Sequence, residues 1–251
     1  MIGGVHLSTS TFGTASFWQL GLTGLALVSI GSLALAASYV VLWTIGQLSG
    51  LPLAEVHLQV IGPAVGPAYV GWEIFANLVA FFLFLVAVRL TPLASYHGAE
   101  HKVVSAIERY GYVTEELARE MPRVHPRCGT TLLAGILPAF LIAVPLLMLA
   151  PVTGVMVIIL GWMFRYRVGA VIQHYLTTRE PNQQQLAAGV KAGRQLLENW
   201  HRRPFANVSL LSSLWQRGFV QLLIGVVGGS QLLQWVYSHL HIWLDWELWL
   251  G

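Results

Sequence analysis

The sequence predicts an all-α, polytopic integral membrane protein with about five transmembrane helices and two cytoplasmic helical regions. Hydrophobic residues make up 55% of the 251 residues and charged residues only 10%, whereas a soluble domain carries roughly 25% charged residues. Several apolar stretches reach the length of about 20 residues that a bilayer-crossing helix needs. All 14 lysine and arginine residues lie between Arg89 and Arg217, a distribution typical of cytoplasmic loops and not of a nucleic-acid-binding surface.

Apolar and polar segments alternate along the chain, and their order defines the predicted spans. Residues 1–251 are expected to form a single membrane domain, since no separate soluble domain or internal repeat is evident. The predicted order is residues 17–90 for the first two spans, 91–130 for a cytoplasmic region rich in histidine and containing the one cysteine, 131–172 for spans three and four, 173–217 for a cytoplasmic amphipathic helix, and 218–251 for a fifth span and a tryptophan-rich C-terminus. An interfacial helix is the alternative for the fifth span, because glutamines interrupt its apolar run.

Charge and cysteine usage predict the location of the protein. Basic residues favour the cytoplasmic side, so both polar regions and the N-terminus are expected inside, with the loop around Glu55 outside a cytoplasmic (inner) membrane. The first apolar run, from about Phe17 to Leu48, is far longer than a signal-peptide core of roughly 7–15 residues. A lone cysteine excludes an intrachain disulfide. We therefore expect the lipid bilayer as a partner and no nucleic acid, while membrane-protein partners and a homo-oligomer stay open.

A first group of residues that can bind a metal or transfer a proton lies in the sequence YHGAEHK, residues 96–102. A helix from about His97 to Tyr110, closed by Gly111, would place His97 and His101 on one face because they are four positions apart. Two imidazoles with this spacing are close enough to bind one metal ion. The alternative is the water-exposed face of an amphipathic surface helix.

A second group follows in the sequence HPRC, residues 125–128. Together with the first group it predicts a zinc site with the ligands His97, His101, His125 and Cys128, of which a catalytic version would use three and leave one position for water. Glu100 is the predicted general base, and Glu108 is expected to orient a histidine through its second ring nitrogen. The alternatives for Cys128 are a structural thiol or a nucleophile beside His125 and Arg127.

The polar region after the fourth span predicts a helix with one apolar face. Leu186, Val190, Gly193, Leu197 and Trp200 recur with helical spacing, and charged residues occupy the other side. Such a helix would lie on the membrane surface or pack over the histidine-containing region. Three polar residues are alternative N-caps for it, namely Thr177, Thr178 and Asn182.

Three sequence blocks, YHGAEHK, HPRCGT and LTTREP, together resemble the YqhQ-like family of bacterial membrane proteins of unknown function, described as predicted metal-dependent enzymes. The resemblance covers roughly Thr91 to Glu198 and implies that Arg127, Thr177, Thr178 and Glu180 also belong to the site. The chain departs from the family at its N-terminus, which lacks a GGQAV-like motif, and at residues 186–188, where an acidic residue is common.

The sequence leaves enzymatic activity open but favours one function. We expect a metal-dependent hydrolase at the cytoplasmic membrane surface, acting on a lipid, peptide or other membrane-associated substrate. The alternative is a non-catalytic structural or assembly component, in which the histidines and the cysteine form a closed metal site or a polar network. A transporter is disfavoured by the absence of sequence repeats and by the few ionisable residues in the spans.

Overall fold

In the computed structural model, which describes residues 17–51, 53, 69–202 and 219–249, the ordered elements are all helical. This confirms the predicted all-α class. In chain order the helices are α1 (Phe17–Ser49), α2 (Val70–Leu90), α3 (Pro92–Tyr110), α4 (Glu115–Glu120), α5 (Gly129–Leu149), α6 (Pro151–Ile172), a π-helical turn (Gln173–Thr177), α7 (Gln183–Arg202) and α8 (Phe219–Trp249). The predicted outer loop around Glu55 lies outside the described residues.

Four of the described helices are long and apolar enough to cross a membrane. They are Leu20–Ser49, Val70–Leu90, Thr131–Leu149 and Pro151–Thr177, with mean hydropathies between 1.7 and 2.6. Within α8 the apolar stretch is Val220–Val236, which is shorter than these four. The protein is therefore a helical membrane protein, and the described residues support four spans together with a shorter apolar segment where a fifth was predicted.

The described residues divide into two compact units. One unit contains residues up to Ile30 together with those from Arg194 onward, and the other contains Gly31–Gly193. Glycines bring α1 and α8 into close contact in the first unit, since a Cβ atom on Gly24 would lie 2.8 Å from the backbone nitrogen of Val226. All candidate site residues lie in the second unit.

Helices α5 and α6 form an antiparallel hairpin with a seam of small residues. A Cβ atom on Gly169 would lie 2.9 Å from the carbonyl carbon of Thr131, and one on Gly135 would lie 2.7 Å from that of Arg165. Small residues allow membrane helices to approach this closely. The seam fixes the start of α5, and with it Cys128, at the same end of the hairpin as the turn that follows α6.

Helix α3 contacts the π-helical turn that follows α6, and α7 also packs against it. It begins at Pro92, five residues before the predicted start, because the Thr91 hydroxyl accepts a hydrogen bond from the Leu93 nitrogen (3.3 Å). It ends as predicted at Gly111, whose φ of 78° suits glycine.

Helix α7 packs over α3, which was one of the two predicted placements. Gly189 lies over Ala99 and Val103, and Gly193 lies over Val103 and Ile107, so two of the small residues of α7 face the apolar side of α3. Asn182 is the N-cap among the three predicted alternatives. Its Oδ1 accepts a hydrogen bond from the Gln185 backbone nitrogen, and the Gln185 Oε1 accepts one from the Asn182 backbone nitrogen, both at 2.9 Å.

Candidate metal centre

Three of the predicted ligands meet at the end of the hairpin where α5 begins. One donor atom each from His97, His101 and Cys128 lies within 4.8 Å of the others. The Nε2 atom of His97 is 3.4 Å from the Cys128 Sγ, and the centroids of the two imidazole rings are 4.3 Å apart. His101 is buried, and the other two residues are half-buried. These separations suit three donors around one small cation.

Backbone carbonyls fix the tautomer of both histidines. The Nδ1 of His97 lies 3.1 Å from the carbonyl oxygen of Thr177, and the Nδ1 of His101 lies 2.7 Å from that of Arg123. A carbonyl oxygen only accepts a hydrogen bond, so each Nδ1 carries the proton and donates it. Each Nε2 therefore keeps its lone pair for a ligand, which is the arrangement usual for metal-binding histidines.

The electrostatics of the cluster favour a thiolate. Burial raises the pKa of the Cys128 thiol, but hydrogen bonds and positive charge from His101 and His97 lower it more, to about 4. Burial lowers the pKa of His97, but its hydrogen bond to Cys128 and the negative charges of Cys128 and Glu100 raise it above its usual value. Both shifts favour the thiolate form of Cys128, and the thiolate is the form of cysteine that binds metals.

Glu100 is half-buried on α3, directly before His101 and three positions after His97. Its carboxylate is near enough for its charge to act on the imidazole of His97. The residue is not one of the three clustered donors. It therefore stands beside the cluster as a negatively charged neighbour.

His125 lies outside the three-residue cluster, although it was a predicted ligand. Its Nε2 donates to the Glu108 Oε2 (3.0 Å), and its Nδ1 accepts from the backbone nitrogen of Arg127 (3.3 Å). Both ring nitrogens thus take part in hydrogen bonds, and the centroid of the ring lies 5.9 Å from that of His101. The Arg127 guanidinium also pairs with Glu108 (2.7 Å). Glu108 thus orients His125 and not one of the clustered histidines, and Arg127 fixes Glu108.

The segment LTTREP crosses α3 at Gly98. The Arg179 nitrogen donates to the carbonyl of Ala94 (2.8 Å), and the carbonyl of Thr178 accepts from the Arg89 guanidinium (2.9 Å). A Cβ atom on Gly98 would lie closer than 3.0 Å to the Arg179 carbonyl oxygen, so only glycine leaves room for this crossing. The crossing places the Thr177 carbonyl against His97.

Lys102 and Glu180 form a second connection between α3 and the LTTREP segment. The ammonium of Lys102, whose side chain is only 7% exposed, contacts the carbonyls of Arg119 (3.0 Å) and Met121 (2.9 Å) and the Glu180 carboxylate (2.8 Å). Glu180 also pairs with the Arg123 guanidinium at 3.4 Å. Since the Arg123 carbonyl holds His101, this ion pair supports one clustered imidazole indirectly.

The sequence match with known proteins covers this whole region. A family described as a protein of unknown function (DUF1385) matches residues 6–199. The chain belongs to the DUF1385 family. The uncharacterized protein YqhQ of Bacillus subtilis (strain 168) is 27% identical over 172 residues, which confirms the predicted resemblance. The match covers 58% of this chain and 54% of that protein, so the chain spans about half the length of this relative. No solved structure gives a significant match.

Sequence reasoning missed three residues that shape the site of this DUF1385 protein. Lys102, Arg123 and Gln173 were assigned no role, yet each holds a segment that carries or orients a clustered donor. Gln173, which is fully buried, accepts a hydrogen bond from the His125 nitrogen (2.7 Å). For Lys102 the position inside YHGAEHK was a usable signal. Neither Arg123 nor Gln173 stands out in the sequence, because their contacts lie 51 and 48 positions away.

Proposed function

We propose that the protein is a zinc-dependent hydrolase whose site lies at the cytoplasmic surface of the inner membrane, with the N-terminus inside. The observation that carries the proposal is the convergence of His97, His101 and Cys128 with both Nε2 lone pairs available. Catalytic zinc sites typically use three protein ligands and keep a fourth position for water. Two imidazoles and a thiolate are a suitable donor set for Zn²⁺.

Each of the groups in and around the cluster would have a separate role in hydrolysis. His97, His101 and Cys128 would hold the Zn²⁺, which would supply Lewis acidity and a water molecule whose pKa is lowered to about 7. Glu100 would accept a proton from the attacking water and return it to the leaving group, since its carboxylate is near enough for its charge to act on His97. The carbonyls of Thr177 and Arg123 keep the two imidazoles in the tautomer that binds metal.

The surroundings of the site support a membrane-associated substrate. Cys128 lies three residues before the candidate span Thr131–Leu149, and Thr177 is the last residue of the span Pro151–Thr177. A site at the ends of two spans is accessible to a lipid or to a membrane-bound peptide. Apart from Arg165 and Arg167, which lie inside the span Pro151–Thr177, the basic residues lie on the segments that flank or separate these spans or at the end of one, which favours the cytoplasmic side.

Metal analysis with matched variants tests the proposal. Purified protein is expected to hold about one zinc per chain by mass spectrometry, and His101→Ala and Cys128→Ser to lose most of it. His125→Ala is the matched control, because this histidine lies in the same region but pairs with Glu108. Absence of a stoichiometric metal from the parent, or equal loss in the His125 variant, would contradict the assigned ligand set.

Glu100→Gln separates catalysis from metal binding. The variant keeps the three donors and is expected to keep its zinc, while hydrolysis falls by roughly 10²–10⁴-fold because the general base is lost. The assay is a panel of lipid, peptide and ester substrates offered to the protein in nanodiscs. Full activity in this variant would exclude Glu100 as the base.

A non-catalytic metal site in a larger membrane complex is the second candidate. It is favoured by the way the cluster joins α3 to the segment before α5, as a structural metal would. Cobalt substitution distinguishes the two functions. If an added anion such as azide changes the visible spectrum of the Co²⁺ protein, the metal has an exchangeable position; an unresponsive four-coordinate spectrum indicates a closed structural site.

A cysteine nucleophile is the third possibility, favoured by the lowered pKa of Cys128. It requires no metal for activity. Hydrolysis that persists after complete removal of metal by a chelator, and that stops after alkylation of Cys128, would select it over the zinc enzyme.

A further inference from the structure

Three buried hydrogen-bond donors close to the cluster have no partner among the described residues. They are the Arg123 Nε, the Gln173 Nε2 and the Thr177 Oγ1. Gln173 is 0% exposed and Thr177 is 4% exposed. Buried polar groups in proteins are nearly always hydrogen-bonded, so each exception needs an explanation.

The three donors belong to one small region. Gln173 and Thr177 are the first and last residues of the π-helical turn, four positions apart. The Arg123 guanidinium contacts the Nε2 (3.2 Å) and the carbonyl (3.3 Å) of His174 in the same turn. The turn touches the cluster directly, because the Thr177 carbonyl accepts from His97. π-Helical turns occur frequently at functional sites.

Local contacts define the chemistry of these groups. The His125 nitrogen donates to the side chain of Gln173, so the contacting atom is the Oε1 oxygen and the NH₂ group is the one without a partner. Two of the three groups, the Gln173 amide and the Arg123 Nε–H, can only donate. The Thr177 hydroxyl can also donate. Such a set suits an acceptor, and an anionic one most of all, since a guanidinium contributes.

The charges nearby also favour an anion. Lys102 and Arg123 share the single carboxylate of Glu180, which leaves an excess of one positive charge in this group. Glu180 occupies the Nη1 side of the Arg123 guanidinium and not its Nε. The buried Nε–H therefore has no acceptor among the described residues.

We propose that Arg123, Gln173 and Thr177 bind the oxyanion of the substrate, a phosphoryl or carboxylate group, beside the metal centre. The inference rests on the proposed hydrolase and gives it a substrate class, namely anionic compounds whose charged oxygens lie next to the bond that is cleaved. These donors position the substrate and, for a charged reacting group, stabilise its oxygens as they gain charge.

Adjacent threonines provide a matched test. Thr177→Val removes a hydroxyl without a partner and keeps the carbonyl that holds His97. Thr178→Val removes a hydroxyl that donates to the Gln173 carbonyl (2.7 Å). We expect Thr177→Val to keep its melting temperature but to bind inorganic phosphate or acetate roughly 10- to 100-fold more weakly. Thr178→Val is expected to melt at a lower temperature and to bind the same anions like the parent.

Gln173→Glu is a second, independent variant. The new carboxylate still accepts from the His125 nitrogen, but it replaces the NH₂ donor by an oxygen that repels an anion. Phosphate and acetate binding, measured by isothermal titration calorimetry in detergent, is expected to be lost, while zinc content stays at the parent level. Unchanged anion binding in both Thr177→Val and Gln173→Glu would overturn the proposal.

The source of the oxyanion is tested with two further probes. Nanodiscs that contain phosphatidic acid are compared with nanodiscs of phosphatidylcholine alone, alongside free phosphate. Preferential binding of phosphatidic acid that depends on Thr177 indicates a lipid headgroup, and binding of free phosphate or acetate that depends on Thr177 indicates a soluble anion; either supports the proposal. A parent protein that contains zinc but binds none of these probes refutes the oxyanion site alone, whereas a parent without zinc refutes the proposed hydrolase.

Discussion

Replacing Gly98 by alanine tests how the LTTREP segment positions the metal centre. The added Cβ would lie closer than 3.0 Å to the Arg179 carbonyl oxygen and 3.4 Å from its carbonyl carbon. A backbone carbonyl cannot rotate away as a side chain does, so the segment must move off α3. This movement would stretch the Arg179–Ala94 hydrogen bond (2.8 Å) and the Thr177 carbonyl contact to His97 (3.1 Å).

The expected change in the free energy of unfolding follows from two destabilising contributions and one stabilising contribution. Overpacking costs about 1–3 kcal/mol, and each weakened hydrogen bond about 1 kcal/mol. Alanine is a better helix former than glycine by about 1 kcal/mol, which offsets part of this loss. We therefore expect Gly98→Ala to lower the free energy of unfolding by about 2–4 kcal/mol. For a protein of this size each kcal/mol lowers the melting temperature by roughly 2–4 °C.

The assay combines thermal unfolding in detergent with zinc affinity. Gly98→Ala is expected to bind zinc more weakly as well, because the imidazole of His97 loses the carbonyl that fixes its tautomer, at a cost of about tenfold. Gly31→Ala is the matched control, since a Cβ on this helical glycine has no atom within 4 Å. Equal melting temperatures and equal zinc affinities for the two variants would refute the reasoning.

Further predictions concern the cluster and its supports. In metal-free protein, the rate of alkylation of Cys128 is expected to be independent of pH between about 6 and 8 and to fall only as the pH drops through the thiol pKa of about 4. A tenfold rise in this rate per pH unit would instead indicate an ordinary thiol. Gly169→Leu, which would press on Thr131, is expected to separate α5 from α6, to cost at least about 1–3 kcal/mol of unfolding free energy and to weaken zinc binding in a chelator competition. Lys102→Met is expected to cost about 1–3 kcal/mol in denaturant titrations because two carbonyls lose their donor. Glu180→Gln is expected to cost under about 1 kcal/mol, since this carboxylate is 58% exposed, and equal losses for these last two variants would contradict the assignment.

Local sequence information was sufficient to predict most of the helices. The two ends of α3 illustrate this: Gly111 closes it with a positive φ as predicted, whereas its start was placed at about His97 and the N-cap signal of Thr91 and Pro92 was missed. The N-cap of the short helix α4 was also predictable, since Thr114 accepts from the Leu117 nitrogen (3.3 Å). Caps and turns depend on residues that are neighbours in sequence.

His125 is the one predicted ligand that the structure does not bring into the three-residue cluster. Its spacing of three positions from Cys128 suggested that both would bind one metal. In the folded protein Glu108, 17 positions earlier, competes for the same imidazole and pairs with it at 3.0 Å. Nothing in the sequence indicates which of several nearby acceptors and cations a histidine will face.

The amino-acid order alone determined that this chain is a helical membrane protein of the DUF1385 family and that two histidines share a helix face. Hydropathy and i,i+4 spacing are properties of single helices, so they can be recognised in the sequence without knowledge of the tertiary structure. The tertiary structure alone decided that Cys128 joins those histidines, that His125 does not, and that backbone from Thr177 holds His97 from 80 positions away. Those outcomes depend on how closely glycine-lined helices approach one another, which is a property of the packed chain.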